Sequence, residues 1–78
     1  MRTDDAAEGI RRQLDRSLEE GELPLNVDIE VPPELDFSAA QTHAERYVRS
    51  LGFHVSERWR YFDFTNGRTV GFRLSRLR

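Results

Sequence analysis

Cysteine and lysine are both absent from this chain of 78 residues. Without cysteine, the chain can form neither a disulfide nor a zinc–thiolate site, which are common supports of very small domains. Without lysine, all 12 basic residues are arginine. This bias accompanies GC-rich coding DNA and predicts a bacterial or phage source.

Long apolar runs are also missing, because no more than two apolar residues ever follow one another. A membrane span needs about 20 apolar residues, and a signal peptide needs a shorter apolar stretch, so neither is predicted. We therefore expect no membrane partner and a cytoplasmic location, in a bacterium or in a phage-infected bacterial cell.

The length of the chain predicts one small domain over residues 1–78. A domain of this size buries only about 60% of the surface that its unfolded chain exposes. Hydrophobic residues make up 37% of the sequence and charged residues 33%, so the core is small. Close helix packing or self-association has to supply further stability, and a homodimer is one arrangement that would do so.

The net charge of −2 hides a division between the two halves of the chain. Residues 1–36 carry 11 acidic residues and four arginines, for −7, whereas residues 37–78 carry three acidic residues and eight arginines, for +5. Such asymmetry indicates either an oppositely charged partner or two halves that pack against each other.

Two helices are predicted from apolar spacing. The first lies in the segment 1–21, with Thr3 as the cap at its start, and carries a narrow apolar stripe. It can lie at the periphery, and it can dock on its own sheet, on a second copy or on a partner. The second covers residues 39–51, with Ser38 and Gln41 as a capping box.

A strand from Leu25 to Val31 is predicted from alternating apolar and polar residues. Asp28 and Glu30 occupy the polar positions, so the outer side of this strand is acidic. Pro32 and Pro33 follow, and because proline cannot donate a ladder hydrogen bond, the strand ends there.

A hairpin from about Phe53 to Leu77 is predicted from the Asn66-Gly67 pair, in which both residues tolerate positive φ. A two-residue turn at that pair sets Phe72 opposite Tyr61 and Phe62 opposite Gly71. The register gathers a buried face, made of Trp59, Tyr61, Val70, Phe72 and Leu74.

These elements predict an α+β fold in the order α-β-α-β-β. Its small sheet has three strands and is mainly antiparallel, with the second helix packed on one face. Two strand orders remain open, because the first strand can neighbour either the second or the third.

No catalytic signature, glycine-rich phosphate loop or metal-ligand spacing is present. The two histidines, His43 and His54, are separated by ten residues and have no cysteine to complete a site. We therefore expect a protein that is not an enzyme and that uses neither a metal nor another cofactor.

The outward face of the predicted hairpin is the best candidate for a binding site. Arginines beside exposed aromatics could stack bases and hold phosphates. The same residues could instead contact a protein, or the acidic strand could neutralise them within the fold. The candidate partner-binding residues are Arg58, Arg60, Phe62, Phe64 and Arg73 on the hairpin, with Asp28 and Glu30 on the first strand.

The function expected from this pattern is protein binding, because arginine and large aromatic residues are enriched at the centres of interfaces. In size and charge the chain resembles phage-encoded inhibitors of bacterial defence complexes, anti-CRISPR proteins among them. That resemblance implies an inhibitor or regulator that docks on a larger protein complex, such as one that binds nucleic acid. The alternatives are a single-stranded nucleic-acid-binding or accessory regulatory module, and a homodimer formed through the first helix.

Overall fold

Two helices and three strands follow one another in the predicted α-β-α-β-β order, which confirms the α+β class. The computed structural model describes the backbone of residues 3–65 and 67–76, and the side chains from Asp5 onward within those ranges. The predicted cap at Thr3 and the turn residue Asn66 lie outside the described side chains. The elements are α1 (Thr3–Glu20), β1 (Leu25–Glu30), α2 (Phe37–Ser50), β2 (Phe53–Asp63) and β3 (Gly67–Arg76).

The three strands form one antiparallel sheet in the order β1-β3-β2. The C-terminal strand β3 is therefore central, and β1 and β2 are the two edges. This arrangement is one of the two orders that the sequence left open. It pairs every neighbouring strand antiparallel.

Both helices pack on the same face of the sheet, where they share one hydrophobic core with it. Ile10 and Leu14 of α1 are completely buried in that core, so α1 docks on its own sheet. Ala40 and Ala44 of α2 are also completely buried. Their short side chains let α2 approach Phe72, which is completely buried in the central strand.

The predicted register of the hairpin is wrong. Phe72 lies opposite Arg58 rather than Tyr61, and Trp59 rather than Phe62 lies opposite Gly71. The shift changes which side of β2 faces the helices, because neighbouring residues of a strand point to opposite faces.

The turn accounts for this shift over residues 57–63, which all keep the register that the turn sets. Asp63 pairs with Gly67, so the connection spans residues 64–66 instead of the predicted two. The Asp63 Oδ1 atom accepts a hydrogen bond from the backbone N–H of Thr65 at 2.8 Å, which favours a turn at that point. Gly67 has a φ of 76° and begins β3, rather than standing inside the turn.

A β-bulge at Ser56 also changes the direction of the side chains along β2. Val55 lies opposite Leu74 and is buried, but the register shifts between Val55 and Glu57. Beyond the bulge the even-numbered residues point to the helices and the odd-numbered ones point away. Trp59 and Tyr61 were predicted to be core residues, and they lie on the opposite side of the sheet.

The start of α2 also differs from the prediction. The helix begins at Phe37, and Asp36 rather than Ser38 is its cap, with Oδ1 accepting the backbone N–H of Ala39 at 2.7 Å. Asp is a preferred residue at this position because its carboxylate satisfies a free N–H of the first turn. Gln41 therefore takes no part in the cap, and its side chain contacts β2 instead.

Candidate functional site

In the part of the chain that the structure describes, one face of the sheet is covered by neither helix, and we call it the open face. It consists of the outward side chains of the three strands. Two of them are aromatic and three of them are exposed carboxylates. The open face includes Asn26, Asp28, Glu30, Glu57, Trp59, Tyr61, Thr69 and Arg73.

Trp59 lies across the centre of the open face and is held in place there. Its Nε1 atom donates a hydrogen bond to the Asp28 Oδ1 atom at 2.7 Å, which ties the edge strand β2 to the edge strand β1. Gly71 of β3 lies between them and pairs with both residues. A Cβ atom at Gly71 would collide with the indole, so the missing side chain makes room for the ring.

The charge of the open face is mainly negative. Asp28, Glu30 and Glu57 are exposed, and Arg73 is the one arginine among the residues of this face. Tyr61 keeps 42% of its surface exposed. Partial burial, followed by the charges of Asp28 and Asp63, raises the pKa of Tyr61 above its ordinary value. The open face is therefore both aromatic and acidic.

A second surface lies between α2 and β2, on the helical side of the sheet, and we call it the arginine groove. It has a volume of about 380 Å³. Arginines enter it from both elements, and one carboxylate lies among them. The groove is lined by Ser38, Gln41, Thr42, Glu45, Arg46, Arg49, Arg58 and Arg60.

Glu45 fixes two of these arginines although it is only 9% exposed. Its Oε2 atom accepts a hydrogen bond from Arg58 Nε at 2.7 Å, and its Oε1 atom accepts one from Arg49 Nη2 at 3.3 Å. The bond to Glu45 raises the pKa of the Arg58 guanidinium. Glu45 thereby compensates part of the positive charge of the groove.

Arg60 is held separately from that pair. Its Nη2 atom donates to Gln41 Oε1 at 2.7 Å, and its guanidinium lies 5.7 Å from the centre of the Phe37 ring. Neither contact involves a carboxylate, and no carboxylate among the described residues forms an ion pair with the Arg60 guanidinium. The groove therefore keeps an excess of positive charge.

The candidate residues predicted from the sequence do not form a single surface. Arg58 and Arg60 line the arginine groove, and Phe62 projects to the same side of β2. Phe64 is fully exposed in the connection between β2 and β3. The remaining candidates, Arg73, Asp28 and Glu30, lie on the open face.

The two acidic residues of β1 are thus not the ones that contact Arg58 and Arg60. Glu45 and Gln41 contact these arginines, and Trp59 and Tyr61 take the positions on the open face that were predicted for arginine. A signal for Glu45 was present in the sequence. It stands beside Ala44 and close to Val48, where a carboxylate needs a partner once the helix packs.

No family model, curated protein or solved structure matches this chain. Neither helix of the described residues is long and apolar enough to cross a membrane. Over residues 3–65 and 67–76, no group of three or more histidine, cysteine, aspartate or glutamate side chains is placed to hold a metal ion.

The two tyrosines provide a spectroscopic test of these contacts, because the chain has no others. Tyr47 of α2 donates its hydroxyl hydrogen bond to Asp15 of α1, and this bond raises the pKa of Tyr47. We expect both phenols to ionise above pH 10 in an ultraviolet titration. Tyr47→Phe leaves Tyr61 as the one remaining signal, and Tyr61→Phe leaves Tyr47.

The raised pKa values of the two tyrosines also give the direction in which stability changes with pH. A tyrosine with a raised pKa in the folded state stabilises the fold below about pH 10, and this contribution is lost as the pH rises through the folded value. Asp28→Asn should lower the midpoint of Tyr61 and leave that of Tyr47 unchanged. A midpoint for Tyr61 at or below its ordinary value, in protein that circular dichroism shows to be folded, would contradict its place beside Asp28.

Proposed function

We propose that this protein is a non-enzymatic binding module whose open face docks on a basic surface of a larger protein. The observation that carries the proposal is the fixed indole of Trp59 among exposed carboxylates. Aromatic side chains are enriched at interface centres, and acidic surroundings select a basic partner.

The chemistry of this face suits arginine and lysine side chains of the partner. A guanidinium or ammonium group can stack on Trp59 or Tyr61, which contributes about 0.5–1 kcal/mol when exposed and about 2 kcal/mol when desolvated. Asp28 and Glu30 lie on the neighbouring part of the sheet and supply the opposite charge. Because the indole is already bound to Asp28, little side-chain entropy is lost when a partner covers it.

A basic surface of this kind is what nucleic-acid-binding proteins present to phosphates. A small acidic module that occupies such a surface would compete with nucleic acid for it. This supports a role as an inhibitor or regulator of the phage- or mobile-element-encoded type, acting inside a bacterial cell.

The chain contains a single tryptophan, so its fluorescence reports on the open face alone. We expect a short capped peptide of alternating arginine and glycine to change the emission of Trp59. The double variant Glu30→Lys/Glu57→Lys should weaken this binding about tenfold or more, because two attractions become repulsions.

Glu19→Lys/Glu34→Lys is the matched control, since both residues are exposed and lie outside the open face. If the control variant weakens peptide binding as much as the open-face variant does, net charge alone explains the binding and the proposal fails. A partner protein captured from cells should likewise fail to bind the open-face variant and still bind the control. Nucleic acid should displace the unaltered protein from that partner.

The nucleic-acid-binding alternative has its own test. A labelled single-stranded oligonucleotide is titrated at about 100 mM salt, where phosphate contacts still contribute. Tight, salt-sensitive binding that the double variant Arg60→Glu/Arg73→Glu abolishes would replace the proposal. Such binding would have to span two sides of the sheet, because Arg60 lines the groove and Arg73 lies on the open face.

A further inference from the structure

The two edges of the sheet are not equally exposed. At the β1 edge, Gln13 of α1 bonds to the backbone of Glu30 through both ends of its amide. Its Oε1 atom accepts the Glu30 N–H at 2.9 Å, and its Nε2 atom donates to the Glu30 carbonyl at 3.1 Å. The side chain of Gln13 thus occupies the place that a further strand would take.

The β2 edge has no such cover. No group in residues 3–65 or 67–76 hydrogen-bonds to the outward backbone N–H and C=O groups of β2 between Phe53 and Phe62. Uncovered edges are the sites at which proteins accept an added strand.

The ladder identifies which backbone groups of β2 point outward. The Val31 N–H donates to the Arg68 carbonyl at 2.8 Å, and hydrogen-bonded pairs alternate along an antiparallel ladder. The backbone groups of Arg68 therefore point to β1. Because the direction alternates along β3, those of Thr69 and Gly71 point to β2. Trp59 and Tyr61 therefore bond to β3. The N–H and C=O groups of the alternate residues, Arg58 and Arg60, point to the free edge.

The side chains of these same two residues line the arginine groove. A hollow at the edge of β2 is lined by Arg58, Trp59 and Arg60 together with Gln41. It includes residues from both sides of the strand, so it lies at the strand edge itself. Backbone groups and positive side chains are thus offered at one place, in the spacing of a β-strand.

From this juxtaposition we propose that the β2 edge binds an extended acidic segment of a partner protein as a fourth strand. Two carboxylates, two residues apart, lie opposite Arg58 and Arg60 and fill the arginine groove. The intervening side chains of the segment emerge beside Trp59 and Tyr61. This site is separate from the docking of the open face on a basic surface, and either can fail without the other.

The geometry favours a strand over nucleic acid. Paired N–H and C=O groups match another backbone, whereas a phosphate chain would leave the carbonyls without a donor. The Phe37 ring beside Arg60 is already occupied, because Arg60 and Arg68 both lie over it, and Phe62 is the exposed ring on that side of β2. A second copy is also disfavoured, because pairing of β2 with itself about these residues sets arginine opposite arginine.

A short capped peptide of alternating glutamate and valine is the probe, used with the full chain. We expect binding to slow amide hydrogen exchange at Arg58 and Arg60, whereas the amides of Trp59 and Tyr61 are slow already. The same peptide with its alternate amides N-methylated cannot form the ladder and should not bind. Lysine in place of glutamate should abolish binding as well.

Arg46→Glu should weaken binding of the acidic peptide about tenfold, because the new negative charge repels the peptide within the groove. Arg60→Glu should do the same if circular dichroism shows that it folds. Arg16→Glu is the control, since Arg16 is exposed on α1 away from the groove.

Three results would overturn the inference. The first is that the acidic peptide does not slow exchange of the β2 amides. The second is that an oligonucleotide binds at the same residues and the acidic peptide does not displace it, and the third is that a dimer of the free protein already protects these amides.

Discussion

Replacing Gly71 with alanine is expected to lower the free energy of unfolding by about 1–3 kcal/mol, as overpacking of a tight site does. The new Cβ would lie inside the contact distance of the Trp59 ring and 2.6 Å from the Asp28 Oδ1 atom. The ring therefore has to leave, and the bond between Trp59 and Asp28 breaks with it. The loss of that bond adds about 1 kcal/mol.

Urea denaturation measures this loss, and the tryptophan emission of the folded variant should shift to longer wavelength as the indole becomes exposed. Gly9→Ala is the matched control, because a Cβ there meets nothing within 4 Å. In the middle of α1 it should instead raise stability by about 0.5–1 kcal/mol. Equal stabilities of the two alanine variants, with unchanged emission, would show that Trp59 does not lie over Gly71.

Replacing Leu14 with alanine is expected to cost about 2–5 kcal/mol, the range for a completely buried leucine. Domains of this size have a total stability of about 4–12 kcal/mol, so a large part of the fold's stability depends on this side chain. Leu51→Ala is the control, since Leu51 is 49% exposed and should change stability by less than about 1 kcal/mol.

The comparison of these two leucine variants tests whether α1 is an integral part of the core. Similar denaturation midpoints for both would mean that α1 does not pack as described. The same packing bears on self-association, because residues 22–78 without α1 lose one wall of the core and should not fold. A homodimer through α1 is therefore better tested by light scattering on the full chain.

The sequence predicted the elements of this fold well because their signals are local. The periodic apolar residues of α1, α2 and β1 identify each element without knowledge of its neighbours. The outward position of Asp28 and Glu30 on β1 followed in the same way and is confirmed. The strand order needed a contact between distant residues, and the sequence left it open.

The faces of the hairpin could not be predicted because two small irregularities change them. The sequence Asn66-Gly67 favours a two-residue turn, yet Asp63 and Gly67 close a longer connection. The bulge at Ser56 has no sequence signature of its own. The turn alone places Trp59 on the other side of the sheet from Phe72, with which it was predicted to be buried, whereas the bulge returns Val55 to the core.

The candidate site was predicted only in part for the same reason. Arginines and aromatics do lie exposed along β2, as the sequence predicted. Their grouping depended on the register, so the arginines and the acidic residues were assigned to one face instead of two. Glu45 was missed as the partner of Arg58 because a helical pattern alone does not show which strand lies beneath it.

The bulge at Ser56 has a consequence for how such a protein can change in evolution. Loss of one codon there would give β2 a single alternation, so either residues 53–55 or residues 57–63 would have to turn over. In the second case the arginines would point to the acidic side of the sheet, and the aromatics would point to α2. Two binding chemistries are thus encoded in one strand of 11 residues, and its register against β3 decides which of them is presented.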